Sequence, residues 1–273
     1  MTSIAELRAG CAVVTGAGSG IGAAAATHAA SELGLPVAVL DVVGDRAETT
    51  AAEITAAGGT AVAWTADVAD AAAVDAVAEA VRARLGPVTL LMANAGVEHA
   101  GAVWTMPADQ WRRVQDVNVN GVFNTLRAFV GPMVEARRRA HVVCVASIGA
   151  LAIRPEMSAY IVSKHATLAL AESLTVDLAA AGADIGVSVL LPGPVATRIA
   201  VDALVAPTDG AEPARRRLAT LLDAEGLAPS EIAATAFAGV AEDREWIYTH
   251  PRLTGVTVAE RVAKLEASVA RPI

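Results

Sequence analysis

Cys11-Ala12-Val13-Val14-Thr15-Gly16-Ala17-Gly18-Ser19-Gly20-Ile21-Gly22 carries the chain from an apolar run through four glycines into an alanine-rich stretch. The run reads as a strand and the stretch as a helix. Glycines between them permit a tight turn and let amides at the helix N-terminus approach a phosphate. Nineteen residues after Gly22, Asp41 ends a second apolar run, where a carboxylate can accept hydrogen bonds from a ribose diol. An ordinary glycine turn with a helix-capping aspartate is the bland alternative, but strand, turn, helix and acid in this order favour a dinucleotide site. A carboxylate at 41 repels a 2′-phosphate, and Ser19, Val42 and Val43 offer no cation. Arg46 is the only basic residue near enough to complicate this, so NAD is expected over NADP.

Outward from this unit, strand-like and helical runs alternate. Apolar runs fall at 11–15, 37–41, 61–66, 88–93, 141–146 and 186–191, and helical patterns at 21–33, 45–57, 71–85, 108–138 and 158–181. The strands are continuously apolar, as in a parallel sheet covered on both faces. Alternating βα units specify an α/β, Rossmann-type doubly wound sheet. The expected organisation is one domain over 1–273. It includes a lid insertion at about 194–228 and a C-terminal extension at about 245–273, with a strand at 245–249 and a helix at 257–270. Val258, Val262, Leu265 and Val269 make a narrow stripe on that helix, expected to dock on its own subunit or a neighbour.

The 273 residues are 54% apolar but only 3% aromatic, so packing must come from many small contacts. A net charge of −8 disfavours a nucleic-acid partner, which needs a basic excess. No apolar run reaches the ~18 residues of a membrane span, and the first ten residues do not read as a signal peptide. A cytoplasmic location is expected. Cys11 and Cys144 fall in strands and read as buried thiols. The histidines show no ligand spacing, so no metal is expected.

The chain has two tyrosines and two lysines, and one of each stands four residues apart, as Tyr160 and Lys164. On a helix they share a face, and an ammonium beside a phenol lowers its pKa from about 10. Such a phenol serves as a proton donor and acceptor near neutral pH. On spacing alone, a tyrosine packed on a helix with a solvated lysine one turn on is the bland alternative, and the rest of the chain decides between them.

With these motifs the chain resembles the classical short-chain dehydrogenase/reductase family over about residues 10 to 200. The glycine turn has the family's spacing. Asp67-Val68 ends the third strand, and Asn94-Ala95-Gly96 ends the fourth. Asn118 stands in Asp116-Val117-Asn118-Val119-Asn120-Gly121, Ser147 precedes Tyr160 by thirteen residues, and Pro192-Gly193-Pro194-Val195-Ala196-Thr197 follows the sixth strand. Asn120 is the rival to Asn118, and the choice between them rests on register with the family motif. The resemblance implies about seven strands in the order 3-2-1-4-5-6-7 and the catalytic set Asn118, Ser147, Tyr160 and Lys164. It implies cofactor contacts from Gly16, Ser19, Gly20, Ile21, Gly22, Asp41, Val42, Asp67, Val68, Asn94, Ala95, Gly96, Tyr160, Lys164, Pro192, Gly193, Val195 and Thr197. Asp67-Val68 is expected to hold the adenine, Asn118 a proton-relaying water, and Ser147 the substrate oxygen.

The expected activity interconverts a secondary alcohol and a ketone, with a hydrophobic small-molecule substrate suggested by the lid and by Ile148–Met157. A homodimer or homotetramer is expected, the latter less securely because Tyr248-Thr249-His250-Pro251 and a helix replace the family's usual glycine-rich end. Alternatives are a non-catalytic dinucleotide-binding protein, or lyase or epimerase chemistry on the same scaffold. His99 reads as a surface loop residue, Arg215–Arg217 as a solvated helix face, and Trp104, Met106 and Trp111 as either pocket or packing.

Overall fold

The computed structural model describes residues 4–205 and 211–269. Seven strands form one parallel sheet: β1 (Cys11–Thr15), β2 (Val37–Asp41), β3 (Ala61–Thr65), β4 (Val88–Ala93), β5 (Ala140–Val145), β6 (Ile185–Leu191) and β7 (Trp246–Tyr248). Their order across the sheet is 3-2-1-4-5-6-7, as expected. Every neighbouring pair is parallel. The order reverses between β1 and β4, which opens a crevice at their carboxyl ends.

Helices α1 (Gly20–Ser31), α2 (Gly44–Ala56), α3 (Ala71–Leu85), α4, α5 (Ser158–Ala180), α6 (Ala211–Glu225), α7 (Pro229–Ala241) and α8 (Pro251–Val269) surround the sheet. α4 runs from Ala108–Gln115 through a π-turn, Asp116–Asn120, into Gly121–Glu135. The core lies in two layers. α3, α4 and α5 cover one face of the sheet, through residues such as Val77, Phe129 and Leu168. α1, α2 and α7 cover the other, through Ala26, Ile54 and Phe237.

Small residues explain how so few aromatics suffice. Ala25, Ala26 and Ala29 of α1 and Ala233 and Ala236 of α7 are all essentially inaccessible. Their lack of bulk lets the helices approach closely, and His28 stacks on Phe237 with ring centroids 4.9 Å apart. Dense packing of small groups recovers the dispersion energy that larger side chains would supply. α7 was not expected from the sequence, where its apolar residues are diluted by alanine.

Two further departures concern the tail. α8 begins at Pro251 rather than Thr257, since proline suits a first helical turn that needs no N–H; its expected end at Ala270 lies outside the described residues. The stripe of Val258, Val262, Leu265 and Val269 does not dock on this subunit, where these residues are 38% to 84% exposed. The helix instead buries Thr254 and Thr257.

After β6 the chain leaves the sheet. Leu204–Val205 pairs in parallel with His99–Ala100 as a two-residue ladder, and α6 follows. Arg217 reaches from α6 to Glu156 at 2.9 Å, and Arg215 pairs with Glu212 at 2.7 Å, so neither is merely solvated.

Candidate active site

Every predicted site residue except Gly22 and Asn118 lines a single cleft of about 750 Å³ at the carboxyl ends of the strands. The two exceptions lie directly behind its wall.

The glycine turn builds one end. Gly20 has φ +54°, a left-handed conformation that other residues adopt at a cost. A Cβ on Gly22 would sit 2.2 Å from the Gly16 carbonyl oxygen, so only glycine lets α1 start this close to β1. Ser19 caps α1 without a side-chain hydrogen bond, which leaves the first-turn amides facing the cleft for an anion. Asp41 braces the turn: its Oδ2 accepts from Gly18 N–H and its Oδ1 from Val43 N–H, both at 2.9 Å. Each oxygen keeps a lone pair for a ribose hydroxyl. These features fit a dinucleotide. Arg46 also lines this end, 3.5 Å from Asp202. Asp67 pairs with Arg113 at 2.8 Å, which with the Ala69 amide holds its carboxyl below its ordinary value despite burial.

Asn94 ties β4 to β1. Its Nδ2 donates to the Thr15 carbonyl at 2.8 Å, while Thr15 Oγ1 accepts from the amides of Asn94 and Ala95 at 2.9 and 3.1 Å. Over the turn lies the loop after β6, where Thr197 Cγ2 would be 3.1 Å from a Cβ on Gly20. The atypical tail supports this loop: Gly193 N–H faces Thr249 Oγ1 and His250 Nδ1, each at 3.2 Å.

Asn118 is fully buried and makes three side-chain bonds. Its Oδ1 accepts from Val97 N–H at 2.8 Å, and its Nδ2 donates to Val97 O and to Ser163 Oγ, each at 2.9 Å. Asn120, the rival position, is exposed, and among the described residues its side chain bonds only Asp116. The π-turn widens the helix here, and the Asn118 carbonyl accepts from Thr167 Oγ1 at 3.1 Å.

Ser147, Tyr160 and Lys164 meet at the centre of the cleft wall. Ser147 Oγ accepts from Gly149 N–H at 3.0 Å. Lys164 is buried, donates to Val145 O at 2.9 Å and lies 5.6 Å from the Tyr160 ring centroid. Burial pushes its pKa down to about 8, against the pull of Glu98 and Cys144.

The expected acidification of Tyr160 is not what this environment produces. Burial raises its pKa well above 10 and Glu98 raises it further, with only the Ser147 side chain working the other way. A phenolate loses more solvation here than the Ser147 hydrogen bond returns.

Glu98 is the residue that sequence reasoning missed. It is 3% exposed, lines the cleft, and burial raises its pKa to about 8. An acid five residues past the end of β4, just after Asn94-Ala95-Gly96-Val97, was the available signal. His99 beside it is fully buried, contrary to the surface reading, because the ladder with Leu204–Val205 covers it. Its Nε2 meets Gln110 Oε1 at 3.0 Å, and Gln110 Nε2 donates to Val205 O at 3.2 Å. None of Trp104, Met106 and Trp111 lines the cleft, and Trp104 is 86% exposed. Among the described residues no His, Cys, Asp and Glu group could hold a metal, and no helix is long and apolar enough to cross a membrane.

A parallel sheet whose switch point opens onto such a turn, acid and cleft defines an α/β dinucleotide-binding protein. The chain belongs to the short-chain dehydrogenase family, a family of oxidoreductases: residues 10–205 match the family model described as short chain dehydrogenase. A short-chain dehydrogenase/reductase from Burkholderia phymatum, solved in complex with NAD, superposes with a TM-score of 0.91 at 34% identity, covering 98% of this chain and 97% of that one. The 1-deoxy-11-beta-hydroxypentalenate dehydrogenase of Streptomyces avermitilis is 36% identical over 206 residues, 74% of each chain. The probable oxidoreductase EphD of Mycobacterium tuberculosis is 38% identical over 186 residues, 68% of this chain, which spans only 31% of that relative's length.

Proposed function

We propose that the protein is an NAD-dependent oxidoreductase that interconverts a secondary alcohol and a ketone on a largely apolar substrate, with Tyr160 as general acid and base. The observation that carries this reading is the convergence of Ser147, Tyr160 and Lys164 on the wall of the same cleft whose far end is the glycine turn and Asp41. When bound, the nicotinamide would accept or supply the hydride. The chain's residues manage everything else. The glycine turn and Asp41 would hold the phosphates and ribose, and Asp67-Val68 the adenine.

Ser147 Oγ already accepts from Gly149, so its own proton is free to donate to the substrate oxygen and stabilise charge developing there. Tyr160 stays protonated at neutral pH and gives its proton to that oxygen as a carbonyl is reduced; in the reverse direction it takes the proton back. Lys164 spends one N–H on Val145 O, leaving others for the ribose and for proton exchange. Asn118 Oδ1 and Lys164 Nζ each lie 3.4 Å from the point a Cβ on Gly96 would occupy. A water between them would relay protons as the resemblance implies.

The substrate end supports an apolar body. Ile148, Met157, Ile199, Leu218, Leu222 and Leu253 line it, drawn from the segment after Ser147, the proposed lid and α8. The relative named for oxidising a hydroxypentalenate acts, by that name, on a hydroxylated acid. The test is a panel of cyclic and aliphatic secondary alcohols with NAD, followed by NADH absorbance. Turnover should favour apolar alcohols and fall by about 10³-fold or more in Tyr160→Phe while NADH still binds. Near-normal turnover by Tyr160→Phe would overturn the assignment.

A further inference from the structure

Three titratable side chains share the enclosed wall beneath the substrate end of the cleft, and the reaction as described uses only two. The third is Glu98. Its position is fixed from both sides. Asn118 clamps Val97 through N–H and C=O, the Glu98 carbonyl accepts from Leu204 N–H at 2.9 Å, and its Oε1 accepts from His99 N–H at 3.0 Å. Among the described residues no Lys, Arg or His forms an ion pair with it. A carboxyl this buried, lining the cleft and without an ion pair, is costly to charge and cheap to discharge.

Glu98 shares the cleft lining with Lys164 and Tyr160 of α5, and Lys164 Nζ bonds Val145 O beside Cys144 of β5, whereas the His99 ring turns away to Gln110 and offers Glu98 only its backbone N–H. Of these, Lys164 favours the carboxylate, and the carboxylate in turn raises the proton affinity of both Lys164 and Tyr160. Buried Cys144 stays a thiol, its pKa pushed up to about 12. Burial lowers the pKa of His99, which keeps the imidazole neutral.

We propose that Glu98 is a positioning residue for the acid–base chemistry: a carboxylate in the cleft wall that, when charged, holds the proton on Tyr160 and the charge on Lys164, favouring proton donation to a carbonyl over proton removal from an alcohol. The inference rests on the Tyr160 reading and deepens it. Neutralising Glu98 lets both neighbours release protons at lower pH, which frees Tyr160 to act as a base.

Because the chain has only Lys164 and Lys264, Lys264→Arg leaves a single lysine to observe. In that background, protein labelled with [ε-¹³C]lysine is titrated by NMR with and without Glu98→Gln, which keeps an acceptor for His99 N–H. The Lys164 midpoint should fall by at least about half a pH unit. In parallel, kcat/KM for the best alcohol of the panel is followed against pH, and its rising limb should move to lower pH in Glu98→Gln, with the several-fold gain appearing above about pH 8, where the wild-type carboxyl is charged. Unmoved titration and superposed profiles would overturn the proposal, whatever the effect on overall rate. If Glu98→Gln does not fold, Glu98→Ala, which admits water in place of the carboxyl, is read the same way. Loss of activity in Tyr160→Phe together with an unmoved Lys164 midpoint sinks only the role of Glu98. Retained activity in Tyr160→Phe sinks the acid–base reading, while the lysine titration still reports on the pair.

Discussion

Replacing Asn118 by leucine removes the clamp on Val97, four residues past the end of β4, while keeping most of its volume. Three hydrogen bonds go, those to Val97 N–H, Val97 O and Ser163 Oγ. Ser163 still donates to the Tyr160 carbonyl at 2.7 Å, so the groups left without partners are the two of the Val97 backbone. An unmet buried backbone group costs about 1–3 kcal/mol. Val97 is only half-buried and water can recover part of that, which places the loss at about 2–4 kcal/mol. A domain stable by about 5–15 kcal/mol survives this and still folds. Urea unfolding followed by tryptophan fluorescence measures it, with Asn120→Leu as the control because Asn120 is exposed and, among the described residues, its side chain bonds only Asp116. The control should change stability by less than about 0.5 kcal/mol. kcat should fall more than NADH affinity, since a Cβ on Gly96 would lie 3.4 Å from Lys164 Nζ and residue 97 precedes Glu98. A loss below about 0.5 kcal/mol in Asn118→Leu would refute the clamp.

Asp41→Ser takes charge-assisted hydrogen bonds from the ribose site and removes the repulsion of a 2′-phosphate. kcat/KM with NAD should fall by about 10–100-fold and NADP use should rise, helped by Arg46; unchanged NAD preference in steady-state assays would argue against the role of the acid. Acid should destabilise the fold through His141, which is fully buried and bonds Ser188 Oγ at 2.8 Å. Burial drives its pKa down to about 4, although Asp243 opposes this, whereas the unfolded chain takes up the proton near 6.5. The unfolded state therefore binds more protons between pH 6.5 and 4, and stability falls as pH drops through that window, by up to about 3 kcal/mol from this group. Denaturation midpoints across the window should decline in the wild type and flatten in His141→Gln.

The parts of the site legible in the sequence are those whose chemistry is local. A glycine turn, the acid ending β2 and a Tyr–Lys pair one helical turn apart each carry their meaning within a few residues. What the sequence hid depends on burial by distant segments. Glu98 and His99 sit in what reads as a loop, and only pairing with residues 204–205 encloses them. The direction of the Tyr160 shift was misread for the same reason. Spacing reveals the ammonium next to it but neither the desolvation nor the carboxylate across from it. The choice of Asn118 over Asn120 rested on motif register alone; its physical reason is the π-turn, which leaves Asn118 buried and Asn120 exposed. α7 escaped notice because alanine signals helix weakly when no polar face alternates with it.

The ladder of His99–Ala100 with Leu204–Val205 has a consequence for redesign. It works as a seam: the segment after β6, proposed to shape the substrate end, is stitched to the scaffold by two residue pairs, the Gln110 bridge and the Arg217–Glu156 pair, apart from the glycine turn and Asp41. On the proposed function, this segment would transfer between family members as a cassette only where the graft preserves the register of that seam, which holds the Glu98 carbonyl through Leu204 N–H.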